Sequence, residues 1–343
     1  MSTVPASLPP PPPAASRGDR CRVALPPAAG GLPRRGLPRP GALACIVAGG
    51  ALAALVAPDA ARAAVQATDD AGVAVALAAP ARRIVSLAPH ATELLFAAGG
   101  GERVLGVSET SDWPPAARAL PRVGDARSID LERIVALAPD LIVTWPYTAP
   151  DQVARLRARG IAVFTTDPTT IEGIAADLER LGTLLGTEAR TRGLAAQMRT
   201  RVGALRQARA GKRGLAVFYE IWPSPLFTIG GGHLISQALR VCGGTNVFAA
   251  LTLPAPTVSV EAVLAAKPEV IIAAADDGLR PDWLEEWRRW PSLPAVAQGN
   301  LLVVDGNLLH RPGPRFVDGV EQLCAALDTA RRRLDDASRK TRP

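Results

Sequence analysis

A fifteen-residue stretch of this chain is written twice. Ile129 to Val143 (IDLERIVALAPDLIV) returns as Val258 to Ile272 (VSVEAVLAAKPEVII), at one constant offset. Asp130 maps onto Ser259, Glu132 onto Glu261, Pro139 onto Pro268 and Asp140 onto Glu269. Each copy reads as a short helix, a proline stop and a buried strand. Asp130 and Ser259 are natural N-caps, and Glu132 and Glu261 favour the helix dipole from the surface. Two such units far apart in one chain predict two similar α/β lobes with a ligand cleft between them.

The rest of the sequence divides around these copies. From Arg82 to Thr170, apolar runs of strand length alternate with helical segments stopped by glycine, the pattern of parallel βαβ units. Residues 64–81 ahead of it read as a linker. From Ile171 to Lys212 strand signals vanish, and an Ala-, Arg-, Leu- and Glu-rich tract predicts a single long backbone helix joining the lobes, with a possible break at Gly186-Thr187-Glu188. A helix of more than about 20 residues spans about 30 Å, enough to pass from one lobe to the other. Alternation resumes over residues 213–333, and 334–343 read as a tail. A helical connector predicts modest lobe movement.

Composition bears on export and on partners. The formal charge is +7, but residues 1–63 hold a net +5 of it. The remainder is nearly balanced and interspersed along helices, which argues against a nucleic-acid partner. The first 40 residues, rich in Pro, Ala, Gly and Arg, cannot bury a core. Gly41 to Ala57 then runs without a charge and is followed by Ala61-Arg62-Ala63. Basic residues, an apolar run and small residues in that order predict a secretory signal peptide cleaved near residue 63, hence a periplasmic protein. Of four cysteines, Cys21 and Cys45 lie in this leader, leaving Cys242 and Cys324. In an oxidising compartment that pair suggests one disulfide; two buried thiols are the alternative.

No catalytic constellation is present, and no metal ligand set. His90, His233 and His310 are the only histidines, none at metal-ligand spacing, and nucleophile and phosphate-loop motifs are missing. No cofactor is expected. Gly230-Gly231-Gly232 reads as a tight connection, because the spacing of a dinucleotide fingerprint is lacking. The aromatic residues say more. Trp113, Trp145, Tyr147 and Trp222 fall at strand ends or in loops, where open α/β sheets bind ligands. Trp145 and Trp222, read at equivalent strand ends, are expected to touch ligand. Trp283, Trp287 and Trp290, at helical spacing, are expected to pack.

Five sets of residues share their order with a known family: Ile84-Val85-Ser86-Leu87-Ala88-Pro89 with Thr92-Glu93; Val107-Ser108 with Asp112-Trp113-Pro114-Pro115; Leu131-Glu132-Arg133-Ile134 through Pro139-Asp140-Leu141; Val241-Cys242-Gly243-Gly244 with Asn246-Val247-Phe248; and Pro314-Arg315 with Gln322-Leu323-Cys324. From about residue 82 to 332 the chain resembles the helical-backbone class of periplasmic substrate-binding proteins, which take cobalamin, haem or ferric siderophores, and within it the cobalamin binders of BtuCDF-type ABC importers. That resemblance implies a disulfide between Cys242 and Cys324. It implies a corrinoid held between the lobes by Pro89, His90, Thr110 and Trp145 on one side and Trp222, Asn307 and Arg311 on the other. Tyr147 joins this set as a candidate haem or siderophore contact. It further implies a monomer that docks on an inner-membrane permease, itself coupled to an ATPase, through Glu261 and, in lobe one, Asp151. The chain departs from the cobalamin pattern at Thr110, Ala126 and Ala255, where aromatic residues are expected. Haem or a ferric siderophore is the alternative cargo, and an exported two-lobed α/β enzyme the alternative class.

Overall fold

The computed structural model describes residues 64–275 and 281–340. The leader, with its apolar run, cleavage site, Cys21 and Cys45, lies outside the described residues, as do 341–343. Residues 64–81 are not a linker. They form an antiparallel hairpin of β1 (Val65–Thr68) and β2 (Ala74–Leu77). The turn between them holds Gly72 at a φ of 76°, which suits glycine. The missed signal is the alternation of β2, where Val75 and Leu77 point into the core and their neighbours out.

Lobe one follows with β3 (Ile84–Ser86), α1 (Pro89–Ala97), β4 (Val104–Val107), α2 (Leu131–Ala136), β5 (Leu141–Thr144), α3 (Pro150–Ala158) and β6 (Ala162–Thr165). Its sheet is all parallel, in the order β4-β3-β5-β6. Lobe two contains β7 (Leu215–Glu220), a small hairpin of β8 (Trp222–Pro223) and β9 (Leu226–Phe227), α6 (Leu234–Val241) and β10 (Gly244–Asn246). It continues with α7 (Val260–Ala266), β11 (Val270–Ala275), α8 (Pro294–Ala297), β12 (Leu301–Asp305), α9 (Gly306–Leu309) and α10 (Phe316–Lys340). The order is β10-β7-β11-β12, again parallel. With the small hairpin set aside, both sheets place their second strand at one edge, then first, third and fourth. The duplicated sequence is therefore a duplicated topology, with α2–β5 and α7–β11 in matching places. The tail read from residue 334 is the last part of α10, helical to Lys340.

The two copies agree in backbone detail. Asp130 and Ser259 accept hydrogen bonds from the amides of Arg133 (2.9 Å) and Ala262 (3.2 Å) and cap α2 and α7. Ala138 and Lys267, equivalent positions before the prolines, both adopt a left-handed conformation, with φ of 44° and 46°. After each proline the acid ties the third strand to the first: Asp140 accepts from the amides of Arg82 and Arg83, and Glu269 from that of Ala216. These bonds give a physical reason for an acid after the proline in both copies.

The connector is two helices, not one. α4 (Ile171–Leu185) ends at Gly186, left-handed at a φ of 66°, and α5 (Glu188–Gln207) turns back along it. Gly182 lies against Thr191 so closely that a Cβ there would stand 2.0 Å from the Thr191 hydroxyl. α4 starts against α6 of lobe two, where the Ile171 amide donates to Gln237, and α5 carries the chain into that lobe. At one end Arg190 donates to the carbonyl of Ala97 in lobe one; at the other Arg201 reaches Asp318 and Glu321 on α10. Cys242 and Cys324 form a disulfide that pins α6 to α10 within lobe two, across a sequence separation of 82. Replacing both cysteines by alanine is expected to lower the unfolding free energy by about 4 kcal/mol, the loop-closure entropy released to the unfolded chain, read from the shift in the urea midpoint.

Candidate functional site

The loops that leave the carboxyl ends of the two sheets meet each other. Glu93, in the helix after β3, is only 4% exposed and lies in lobe one. Both its oxygens accept from Arg315 of lobe two, at 2.9 and 2.6 Å. The Arg315 guanidinium also stacks over the Trp113 ring, 4.5 Å from its centroid, in the loop after β4. Arg311, after β12, pairs with Asp112 of that same loop and stands 3.7 Å from Glu93. Burial pushes the Asp112 carboxyl up, but the Arg311 guanidinium outweighs it and holds the acid below its usual range. Two arginines of one lobe thus close on two acids and an indole of the other. The strand ends therefore face one another across a cleft, where ligands of open α/β sheets bind.

The predicted ligand residues are spread over the segments that follow the strands of both lobes. In lobe one, Pro89 begins α1 and His90 follows it, buried. The His90 ring meets the Trp145 ring edge-on at 5.6 Å, and Trp145 meets Tyr147 likewise at 4.7 Å. Tyr147 is 60% exposed, Trp145 half-buried just past β5, and Thr110 exposed in the loop after β4. In lobe two Trp222 is 40% exposed, and its indole donates to the carbonyl of Ser224 at 3.0 Å. Asn307 stands on α9, its amide bonded to Asp305. Trp145 and Trp222 do not hold equivalent places, because Trp145 follows the third strand of its sheet and Trp222 the first, on an added hairpin. Asp151 and Glu261 lie exposed in the first turns of α3 and α7.

Other residues behave as ordinary structure. Gly230 and Gly231 pack against the backbone of residues 249–253, where a Cβ would stand 2.1 Å from the carbonyls of Leu253 and Ala249. That is a tight connection, as read. Trp287 is buried and donates to Glu220 at 2.7 Å, with Trp283 and Trp290 against the same cluster. A cavity of about 740 Å³ between α4, α5 and α6 lies at the connector, lined by Ile171, Met198, Val202 and Arg240, and holds none of the predicted ligand residues.

Sequence reasoning gave no role to Glu93, Asp112 and Arg315, and read Arg311 as a ligand contact and Trp113 as a strand-end aromatic, not as members of one seam. Glu93 and Arg315 both stood in the shared motifs. Nothing in their spacing shows that residues so far apart in sequence meet. The hairpin also reaches this region. Asp69 accepts from the amide of Thr165, and Asp70 from that of Asp167 and from Arg180. Arg180 pairs as well with Asp177, which burial pushes up to about 7. Burial raises the Asp167 carboxyl, and the nearby Trp145 indole opposes that rise. The hairpin therefore buttresses the wall that carries His90 and Trp145.

This architecture and this cleft define the substrate-binding proteins of the periplasm, and the comparisons agree. The periplasmic binding protein family model matches residues 84–308, and the chain belongs to that family. It is 37% identical over 255 residues to the vitamin B12-binding protein of Vibrio cholerae, covering 74% of this chain and 91% of that one. The crystal structure of the periplasmic vitamin B12 binding protein BtuF of Vibrio cholerae superposes with a TM-score of 0.65 at 36% identity, over 73% of this chain and 98% of that one. The periplasmic heme-binding protein RhuT from Roseiflexus also reaches 0.65, at 28% identity, over 73% of this chain and 99% of its own.

Burial sets the charge state of His90. Desolvation lowers its pKa to about 4, against the backbone bond to Thr166 and the charge of Asp70, which both raise it. A histidine held neutral in the fold is protonated more readily when unfolded, so its contribution to stability is lost as pH falls from about 6.5 toward 4. The buried acids Asp177 and Glu220, both raised to about 7, act in the opposite sense. The test is therefore a difference. Between pH 7 and pH 4, the stability of the native chain relative to His90→Gln is expected to fall by roughly 3 kcal/mol, measured by urea unfolding of both.

Proposed function

We propose that this is an exported solute-binding protein that captures a corrinoid in the cleft and delivers it to an ATP-driven importer of the inner membrane. The observation that carries this reading is the identity to a vitamin B12-binding protein, kept over 91% of that protein's length. The cleft supports it chemically. The exposed rings of Tyr147 and Trp222 and the half-buried indole of Trp145 offer flat apolar surface to a planar macrocycle, and Asn307 adds hydrogen-bonding capacity. Thr110, Ala126 and Ala255 leave room where further rings would otherwise stack. Haem is the second reading. The likeness to a haem-binding structure and the presence of Tyr147, Tyr219 and His90 favour it. Catalysis forms no part of the proposed role, and the family's members are substrate-binding proteins.

The carboxylates of Asp151 and Glu261, one at the first turn of a helix in each lobe, are the proposed docking points for basic residues of the permease. Glu261 is fully exposed. Its own backbone amide and the hydroxyl of Ser259 hold its carboxyl below the usual range, so it stays charged.

Titration of the mature protein with cyanocobalamin, followed by tryptophan quenching, is expected to saturate at micromolar or lower concentration, with Trp145→Ala weakening it about tenfold. Saturation by haemin alone would replace corrinoid by haem. Glu261→Ala should leave that affinity unchanged and reduce corrinoid uptake by cells; an equal loss of both would remove the docking role.

A further inference from the structure

One imidazole at the cleft has one nitrogen engaged and the other unclaimed. His310 directly follows α9, and the next residue, Arg311, crosses the seam to Asp112. The His310 ring nitrogen Nε2 lies 3.1 Å from the hydroxyl of Tyr219. Tyr219 is fully buried at the carboxyl end of β7, and the two rings meet edge-on at 6.1 Å. His310 itself is exposed, and its second ring nitrogen, Nδ1, points away from the Tyr219 hydroxyl that Nε2 faces. No described residue hydrogen-bonds that nitrogen. With its Nε2 proton directed at Tyr219, a neutral imidazole keeps its lone pair on Nδ1.

A metal-binding histidine is usually fixed by a hydrogen bond from its other ring nitrogen, which sets the tautomer and the ring's orientation. Tyr219 supplies such a partner here, because a phenol can accept the Nε2 proton. Imidazole suits the later transition metals. We propose that His310 is an axial ligand, its Nδ1 coordinating the cobalt of a corrinoid whose lower face is not held by its own nucleotide base. This rests on the corrinoid reading and deepens it. The step is a ligand exchange: the Nδ1 lone pair enters as one water leaves the cobalt, no electron moves, and the Nε2 proton stays directed at Tyr219. It would also supply affinity where Thr110, Ala126 and Ala255 withhold stacking surface, and it makes base-free cobinamide the favoured cargo.

The test loads the purified mature protein with cob(II)inamide and records its electron paramagnetic resonance spectrum. Coordination by imidazole splits the cobalt lines into triplets, which the aquo complex does not show. The native protein is expected to show the triplets and His310→Gln to lose them. In equilibrium dialysis the variant should bind cobinamide about tenfold or more weakly and cyanocobalamin as the native protein does. Bound cobinamide without nitrogen splitting overturns the proposal and leaves the corrinoid function standing, and this is read on the native protein however the variant folds. Splitting that survives in His310→Gln assigns the ligand elsewhere and also overturns it. Failure of both corrinoids to bind overturns the function and the proposal together.

Discussion

One apolar cluster holds this molecule together across its joint. It runs from Ile84, Leu94 and Leu141 in lobe one, through Ile174, Leu181 and Met198 of the connector, to Val217, Leu239 and Leu323 in lobe two. Each lobe keeps a smaller cluster on the other face of its sheet, around Ile134 and Leu156 in one and around Phe218 and Trp287 in the other. Because the shared cluster includes the connector, the lobes cannot part without exposing it. Each buried leucine-sized side chain contributes about 1.5–3 kcal/mol, so wide opening is costly and small rocking is not. The long crossing helix is stiff because it is packed, more than because it is helical.

On that joint sits a second, polar fastening. Arg315 lies between the Trp113 ring and the buried Glu93, with its planar fork matched to both carboxylate oxygens. Removing one partner of such a buried pair costs about 3–5 kcal/mol, mostly for the charge left behind. Asp112 is far more open to solvent than Glu93, and the Arg311–Asp112 pair is the weaker one. The cleft is thus held at one firm point and one yielding point. A ligand that needs Arg311 must first take it from Asp112, which makes that residue a partner exchanged on binding and not a free hand waiting in the pocket.

The sequence made the architecture readable because its strongest signal was a repeat. A helix cap, a proline and an acid at matching positions reappear as matching caps, matching left-handed residues and matching strand ties. Glycine at 186 was visible as a break, and it proves to be the turn between two antiparallel helices, which Ile171 to Lys212 alone could not show. The hairpin was hidden because four-residue strands carry too little periodicity to stand out. The seam was hidden for another reason. Glu93 on α1 and Arg315 in the turn before α10 are ordinary charged residues, and only the meeting of the two lobes makes them neighbours. Trp222 was legible as a strand-end aromatic, but not as part of an added hairpin.

The hairpin of β1 and β2 is secured by residues that come far behind it. Asp70 is fastened by Arg180, 110 residues later, and the Asp69 carboxylate by the amide of Thr165. In a chain threaded through a membrane from its amino end, β1 and β2 would emerge first and find nothing to hold them. They must wait, loosely structured, until lobe one and α4 have followed. The element that props the wall bearing His90 and Trp145 would then lock only after α4 has followed it, so the wall becomes rigid once about half of the chain has crossed.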